Sequence, residues 1–318
     1  MGLTIRDLAR ICGVNASTVS RALRDDPRIT PATREKVRQA ARASGYRPNL
    51  TARNLAAGRT NSIWLFLGSL ENAIERTPAI HLSRLFRDAG YDLQLVLHNG
   101  EPEVLRRLLR KLSQRMADGA ILIPPGHAEL WRDELPSPAG LPLLFLDRWL
   151  PDAGFPVVTT ANGEAARQLA ERCYQAGARF FVVWFAPSNS VSQRRRDAVC
   201  AWLDRMNVPY CTTADFTPDL IRRQGTAPVA IMDSTASDST RLLRDCFGTE
   251  LGRYRILGGF FDAWDSPNKD CYERIFVCRQ DFRGLAAQCA EVMVPWLKNG
   301  CPPATQRFEV PAEPIIEI

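Results

Sequence analysis

The sequence predicts a small all-α headpiece of helix-turn-helix type, a short hinge helix, and then a larger two-lobed α/β core. Three observations lead there. All the excess positive charge lies in the first 60 of 318 residues. That same stretch holds three short helical patterns with capping residues, punctuated by glycine. The remainder alternates short apolar runs with amphipathic helical runs in two successive series, the pattern of parallel sheets covered on both faces. The reading divides the chain into residues 1–48, 49–60 and 61–318. The core's lobes take roughly 61–158 plus part of 280–310, and 159–279 plus the C-terminal end.

The charge is best read by segment. Residues 1–60 carry twelve Lys and Arg against four acids, +8, and the rest carries 29 against 31, −2. A basic end on a neutral body implies a polyanionic partner for that end, although a solvated basic surface has the same composition. Hydrophobic residues make up 45% of the chain and charged residues 24%, which suits a globular core. The longest apolar run considered, Ile63–Leu67, is the size of a strand, so no membrane association is expected. The first seven residues lack the basic-then-apolar order of a signal peptide, and a cytoplasmic location follows. Nine cysteines without a Cys-x-x-Cys pair and three scattered histidines (His81, His98, His127) predict reduced thiols, no metal and no cofactor.

Thr4 with Asp7 three residues on reads as a capped helix start, and Ile5, Leu8, Ala9, Ile11 and Cys12 as its apolar stripe. Gly13 stops it. Asn15 can cap a second helix from Ala16 to about Leu23, with Val19, Ala22 and Leu23 inward. Thr30-Pro31 opens a third, to Ser44, with Val37, Ala40 and Ala41 inward and Gly45 as its stop. Two helices around a tight glycine turn, followed by a third, describe a helix-turn-helix. In that arrangement the second helix enters the major groove. Ala16, Ser17 and Arg21 then face base edges, with Asn15, Thr18 and Ser20 near phosphates. Arg21 is the best guanine reader, because its fork matches O6 and N7. The stretch from Pro48 to Gly58 has room for about two helical turns, too few to be stable alone.

The order Leu3-Thr4-Ile5-Arg6-Asp7-Leu8-Ala9, Gly13-Val14-Asn15-Ala16-Ser17-Thr18-Val19-Ser20-Arg21, Thr33-Arg34-Glu35-Lys36-Val37, Gly45-Tyr46-Arg47-Pro48-Asn49 and Ala52-Arg53-Asn54-Leu55 resembles the lactose/galactose repressor family of bacterial transcription regulators. The match is dense and correctly spaced over about sixty residues. The resemblance implies a homodimer on a near-palindromic, double-stranded DNA operator, usually acting as a repressor at the nucleoid. It adds Thr4 and Asn49 to the DNA-binding residues. It implies a hinge helix that folds on DNA, with Leu55 inserted between central base pairs and Ala52 packed beside it. An apolar wedge of this kind unstacks a step and bends the duplex.

In the core, strands are expected at Ile63–Leu67, Asp92–His98, Gly119–Pro124, Leu143–Asp147, Phe180–Phe185, Pro228–Met232, Arg255–Gly259 and Arg274–Cys278. Helices are expected near Ala79–Ala89, Pro102–Met116, Ala128–Glu134, Gly163–Ala176, Ser190–Met206, Asp238–Cys246 and Phe282–Lys298. The family's core resembles a periplasmic sugar-binding protein, with a ligand cleft between lobes. Ser192-x-x-Arg195 with Ala198-Val199 and Trp202-Leu203 is similar to the family's cleft motif, which makes Arg195 an effector-binding residue. Elsewhere the pattern departs. Ala161-Asn162-Gly163-Glu164, Thr235-Ala236 and Gly259-Phe260-Phe261 stand where acids and amides are usual, with Asp262 one place on. Fewer acids imply a small-molecule effector other than a simple sugar. Arg148, Trp184, Phe261 and Trp264 complete the candidate cleft contacts, the aromatic ones equally readable as core.

No Gly-rich phosphate loop, nucleophile elbow or paired catalytic carboxylate appears, so no catalytic residues are expected and the chain is read as no enzyme. The alternative function is an operator-binding regulator whose altered pocket senses nothing. No C-terminal heptad run is present, which favours dimers over tetramers tied by a coiled coil.

Overall fold

The structure is a computed structural model. It describes residues 3–47, 58–71, 73–185, 189–235, 237–262 and 269–318. Four of the expected site residues, Asn49, Ala52, Leu55 and Trp264, lie outside the described residues, as does most of the expected hinge helix. The chain forms two compact units, 1–60 and 61–318.

The first unit packs α1 (Ile5–Cys12), α2 (Ala16–Ala22) and α3 (Pro31–Ala43) around Leu8, Ala9, Cys12, Val19, Ala22, Val37 and Ala41. Helices this short depend on their ends. Thr4 forms a full capping box with Asp7, and Thr30 accepts from the Thr33 N–H ahead of Pro31. Gly13 closes α1 in the left-handed region at φ 63°, a conformation that costs other residues a Cβ clash. Two expectations fail. Asn15 precedes α2 but makes no side-chain cap bond. Ile11 is 57% exposed, because the buried arc of α1 is narrower than its apolar composition.

The second unit contains two six-stranded sheets. The first runs β11-β5-β4-β3-β1-β2, all parallel, from β1 (Ser62–Leu67), β2 (Asp92–Leu97), β3 (Gly119–Leu122), β4 (Leu143–Leu146), β5 (Val157–Thr160) and β11 (Arg307–Val310). The second runs β12-β10-β9-β8-β6-β7, from β6 (Phe180–Val183), β7 (Tyr210–Thr212), β8 (Val229–Asp233), β9 (Ile256–Phe261), β10 (Arg274–Cys278) and an antiparallel β12 (Ile316–Glu317). The helices α4 (Ala73–Asp88) and α10 (Phe282–Asn299) pack on the first sheet, and α6 (Asn162–Gln175) and α7 (Ser190–Arg205) on the second. Between them in the chain lie α5 (Pro102–Ser113), α8 (Pro218–Arg222) and α9 (Ser237–Phe247). Strands buried on both faces, such as β1, β3, β4 and β9, read as unbroken apolar runs for that reason.

The chain passes from the first sheet to the second after β5, returns after β10 through α10 and β11, and crosses again to β12. In each sheet the first strand of the series sits inside the order, between the second and third. That creates a switch point at the carboxyl ends of β1 and β3, and another at β6 and β8. Several elements depart from expectation. The stretch 128–134 forms two short 3-10 turns on either side of the buried Trp131. The helix expected from Ala79 begins at Ala73 and carries Pro78 inside it, where burial of Pro78, Leu82 and Phe86 outweighs a lost backbone bond. The strands β5, β7, β11 and β12 and the helix α8 were not expected; β7, β11 and β12 are sheet edges, where little apolar patterning is required.

Replacing Thr4 by Ala removes the side-chain half of the capping box, leaving the backbone N–H to bond Asp7, and is expected to cost about 1 kcal/mol locally. Hydrogen exchange of the amides in 5–12 of the full chain checks this: faster exchange confined to α1 is expected, and unchanged protection refutes it.

Candidate nucleic-acid interface and core cleft

In the headpiece, Val19 and Ala22 are fully buried and fix the rotation of α2. At 100° per residue, Ser17 and Arg21 then lie on the opposite side, one turn apart. Both are exposed, flanked by half-buried Ala16, Thr18 and Ser20, with exposed Asn15 before the helix. The Ser20 carbonyl accepts from Arg24 Nε at 3.2 Å. Thr4 is exposed, but its hydroxyl already donates to Asp7 Oδ2 and accepts from the Asp7 N–H.

The electrostatics of this unit are sorted by position. All four acids are engaged by arginines: Asp7 by Arg10 (3.3 Å), Asp25 by Arg38, Asp26 by Arg28 (2.7 Å), and Glu35 by Arg42 (3.1 Å). The Arg21 guanidinium forms no hydrogen bond or ion pair with a described residue, although its charge helps hold the nearby Asp26 carboxyl low. The outward face of α2 therefore offers an uncommitted guanidinium beside small hydroxyl side chains, which suits hydrogen bonding to base edges and phosphates.

In the core, the crossings between sheets meet at a set of buried polar side chains. Arg195, on the second turn of α7, is 3% exposed. Its Nε donates to Asn162 Oδ1 at 2.7 Å, its Nη2 lies 3.8 Å from Asp262 Oδ2, and its guanidinium stacks 3.6 Å from the centre of the Phe261 ring. Asn162, at the first crossing, donates to the Thr160 carbonyl at 2.9 Å and to Thr159 Oγ1 at 3.2 Å. Gln280, at the second crossing, donates to both Asp262 oxygens at 2.9 Å and accepts from Thr160 Oγ1 at 2.7 Å. Backbone bonds from Ala161 to Val310 and from Glu313 to Arg279 bind in the third crossing. Outside this network, the Trp149 N–H donates to Ser190 Oγ at 3.0 Å, linking the loop after β4 to the first residue of α7.

Asp147 follows β4 with φ 65° and is 5% exposed. Its Oδ2 lies 3.7 Å from Arg148 Nε, while Oδ1 has no hydrogen-bond partner among the described residues, and neither has Arg195 Nη2. Burial pushes the Asp147 carboxyl above its ordinary value, against Arg148 and Arg195 and with Asp262 and Glu75. Burial likewise raises Asp262, against Arg195 and Gln280, and lowers Arg195, against Asp262 and Asp147.

The expected cleft residues are thus only partly brought together. Arg195 and Phe261 are in contact, and Arg148 touches their surroundings through Asp147. Phe261 is fully buried beneath the guanidinium and offers no open ring face. Trp184 packs edge-on against Phe216 at 5.3 Å, in a different apolar cluster from Phe261. Three further polar side chains, Asp147, Glu75 and His98, are buried near the carboxyl edge of the first sheet. Their position directly after or opposite strand ends was the available signal.

Residues 4–49 match the family described as bacterial regulatory proteins, lacI family. The chain is 32% identical over 212 residues to the catabolite repressor/activator of Escherichia coli strain K12, covering 64% of this chain and 62% of that protein. The match thus spans less than two thirds of that relative. It is 29% identical over 240 residues to the HTH-type transcriptional regulator TreR of Salmonella typhimurium, covering 74% and 73%. The fold is similar to the Lac repressor dimer bound to operator and the anti-inducer ONPF, with TM-score 0.75 at 17% identity over 99% of this chain and 98% of that one. It is also similar to the Cra regulator of Pseudomonas putida in complex with fructose 1-phosphate, with TM-score 0.60 at 20% identity over 81% and 99%. Among the described residues no helix is long and apolar enough to cross a membrane, and no group of three metal-ligating side chains occurs.

Because its folded-state value is raised, Asp147 binds a proton more readily in the folded protein than in the unfolded chain. Its contribution to stability therefore falls as pH rises through the interval above the ordinary carboxylate value. Asp147→Asn is expected to melt above wild type at pH 7.5, with the gain shrinking toward pH 4. Thermal unfolding at a series of pH values checks this, and a gain independent of pH contradicts it.

Proposed function

We propose that the chain is a member of the lactose/galactose repressor family and a sequence-specific DNA-binding transcription regulator, acting as a repressor in the cytoplasm. A homodimer binds a near-palindromic operator, one headpiece per half-site, since two-fold protein symmetry reads two-fold DNA symmetry. The observation that carries this reading is the pair Ser17 and Arg21, turned outward by the buried Val19 and Ala22 inside the segment that matches the family. Arg21 reads a base edge, with Ala16 and Ser17 beside it. Thr4, Asn15, Thr18, Ser20 and Asn49 position the phosphates. By the resemblance, Ala52 and Leu55 act in the minor groove.

In residues 61–318 we assign two lobes, divided near residues 158–160 and 279–281, and an effector cleft between them. Arg195 and Arg148 are its charged contacts. Arg195 Nη2 and Asp147 Oδ1, buried and without a partner among the described residues, favour a cleft that binds a ligand over one that senses nothing, because orphaned buried polar groups are costly. Ligand binding changes the angle between lobes and hence operator affinity, which requires unequal ligand affinities in the two states. The relatives' repressor and activator names support a regulator rather than an enzyme.

Selection of bound duplexes from a random pool by the full-length protein tests the proposal. A near-palindromic consensus with steep salt dependence is expected, and no preference over bulk competitor at moderate salt rejects it. Against the selected operator, Arg21→Ala is expected to lose about 1–3 kcal/mol of discrimination at one base pair per half-site. Titration of single-pair operator variants measures this, and wild-type discrimination by the variant overturns the role of α2. Leu55→Ala is expected to weaken binding to the operator more than to competitor.

A further inference from the structure

We infer that the core cleft takes a small molecule bearing a protonated amine, held by Asp147 and Glu75 at the carboxyl edge of the first sheet, with a hydrogen-bond acceptor turned to Arg195. This rests on the ligand-sensing reading above and names the chemistry of that ligand.

Three side chains from separate elements converge on this edge. Asp147 follows β4, His98 follows β2, and Glu75 reaches back from the first turn of α4 to the residues that follow β1. They are 5%, 1% and 9% exposed. Glu75 and His98 flank Gly68 closely: a Cβ on Gly68 would lie 3.2 Å from Glu75 Oε1 and 3.6 Å from His98 Cε1. Glu75 uses one oxygen, Oε2, for the backbone N–H groups of Gly68 and Ser69, and its Oε1 has no hydrogen bond to a described residue. His98 Nδ1 accepts from the Gly100 N–H at 3.2 Å, so in the neutral ring the proton sits on Nε2. That Nε2 is buried with no partner among the described residues, as are Asp147 Oδ1 and Arg195 Nη2.

The charges decide the class of ligand. Three acids, Asp147, Glu75 and Asp262, are buried; Arg195 and Arg279 act on Asp262 and Arg148 lies 3.7 Å from Asp147, while Glu75 has no ion pair with a described residue. Burial keeps His98 neutral by lowering its proton affinity. Asp262 is already satisfied by Gln280 through both oxygens. Two acid oxygens, Asp147 Oδ1 and Glu75 Oε1, therefore remain as acceptors on the first-sheet side. Across from them remains one donor, Arg195 Nη2, with His98 Nε2 as a second. An ammonium supplies both the donors and the compensating charge, and uncompensated carboxylates in a low-dielectric site are expensive. A neutral hydroxyl would satisfy the bonds and leave the charge. A phosphate or carboxylate placed at this edge would meet two acids.

The test uses the full-length protein and matched probes: glucosamine, galactosamine, putrescine and ethanolamine, with glucose, galactose, their N-acetylated counterparts and glucose 6-phosphate. Melting temperature and calorimetric affinity are read for each, because a ligand of the folded state raises the melting temperature. At least one free amine is expected to bind ten or more times tighter than its neutral or N-acetylated counterpart. The isosteric Glu75→Gln and Asp147→Asn variants, each checked for an intact unfolding transition, are expected to lose about tenfold of that preference. If no amine exceeds its neutral counterpart, or the phosphorylated sugar binds best, the inference is overturned. Specific duplex binding by the same preparation is measured alongside. Its presence with no amine preference sinks only the ligand class, whereas its absence sinks the regulator reading.

Discussion

A buried guanidinium has to be compensated, and at Arg195 the compensating groups come from the segments that join the two sheets. Asn162 belongs to the first crossing, and Asp262 leads through Gln280 to the second. Thr160 closes the ring by donating to Gln280. Each of these side chains is at least nine-tenths buried. Breaking one bond leaves a buried polar group without its partner, which costs far more than the bond's net worth. The two sheets are therefore joined by a polar network whose members hold one another in place, with Phe261 as the flat apolar floor beneath the charge. The helix α7 is tied toward the first sheet through Arg195, through the bond from Trp149 to Ser190, and through Arg194, whose Nη2 lies 3.9 Å from Glu309 of β11.

The headpiece solves a different problem. Its core is a handful of small apolar side chains, so its helices rely on their ends. Thr4, Gly13, Thr30 and Pro31 supply those ends. Ion pairs then gather the four acids on α1, α3 and the loop between α2 and α3. Such exposed pairs add little stability. Their larger effect is on the field, since the negative charge is neutralised in place and Arg21 is left on the outward face of α2.

Local signals were legible wherever the physics is local. The caps at Thr4 and Thr30, the stop at Gly13 and the inward Val19, Ala22 and Val37 follow from spacing and residue type. So do the apolar runs of β1, β4 and β10, because a strand covered on both faces has no room for polar side chains. Edge strands β7, β11 and β12 escaped, since half of their surface meets water and their composition is ordinary. Ile11 misled for the opposite reason: an apolar residue near the stripe of α1 lies just outside the arc that three small helices can cover.

What the sequence by itself determined is the class of fold, the headpiece and the outward residues of its second helix, all set by neighbours within one or two turns. The proposed cleft is another matter. Asp147, Glu75 and His98 are separated by 23 to 72 positions along the chain and meet only because parallel strands deliver their carboxyl ends to one edge. Phe261, which by type alone could have been a ring open to ligand, is the buried support of Arg195. Only the tertiary structure decided these points, because burial and charge compensation depend on what the other elements bring alongside.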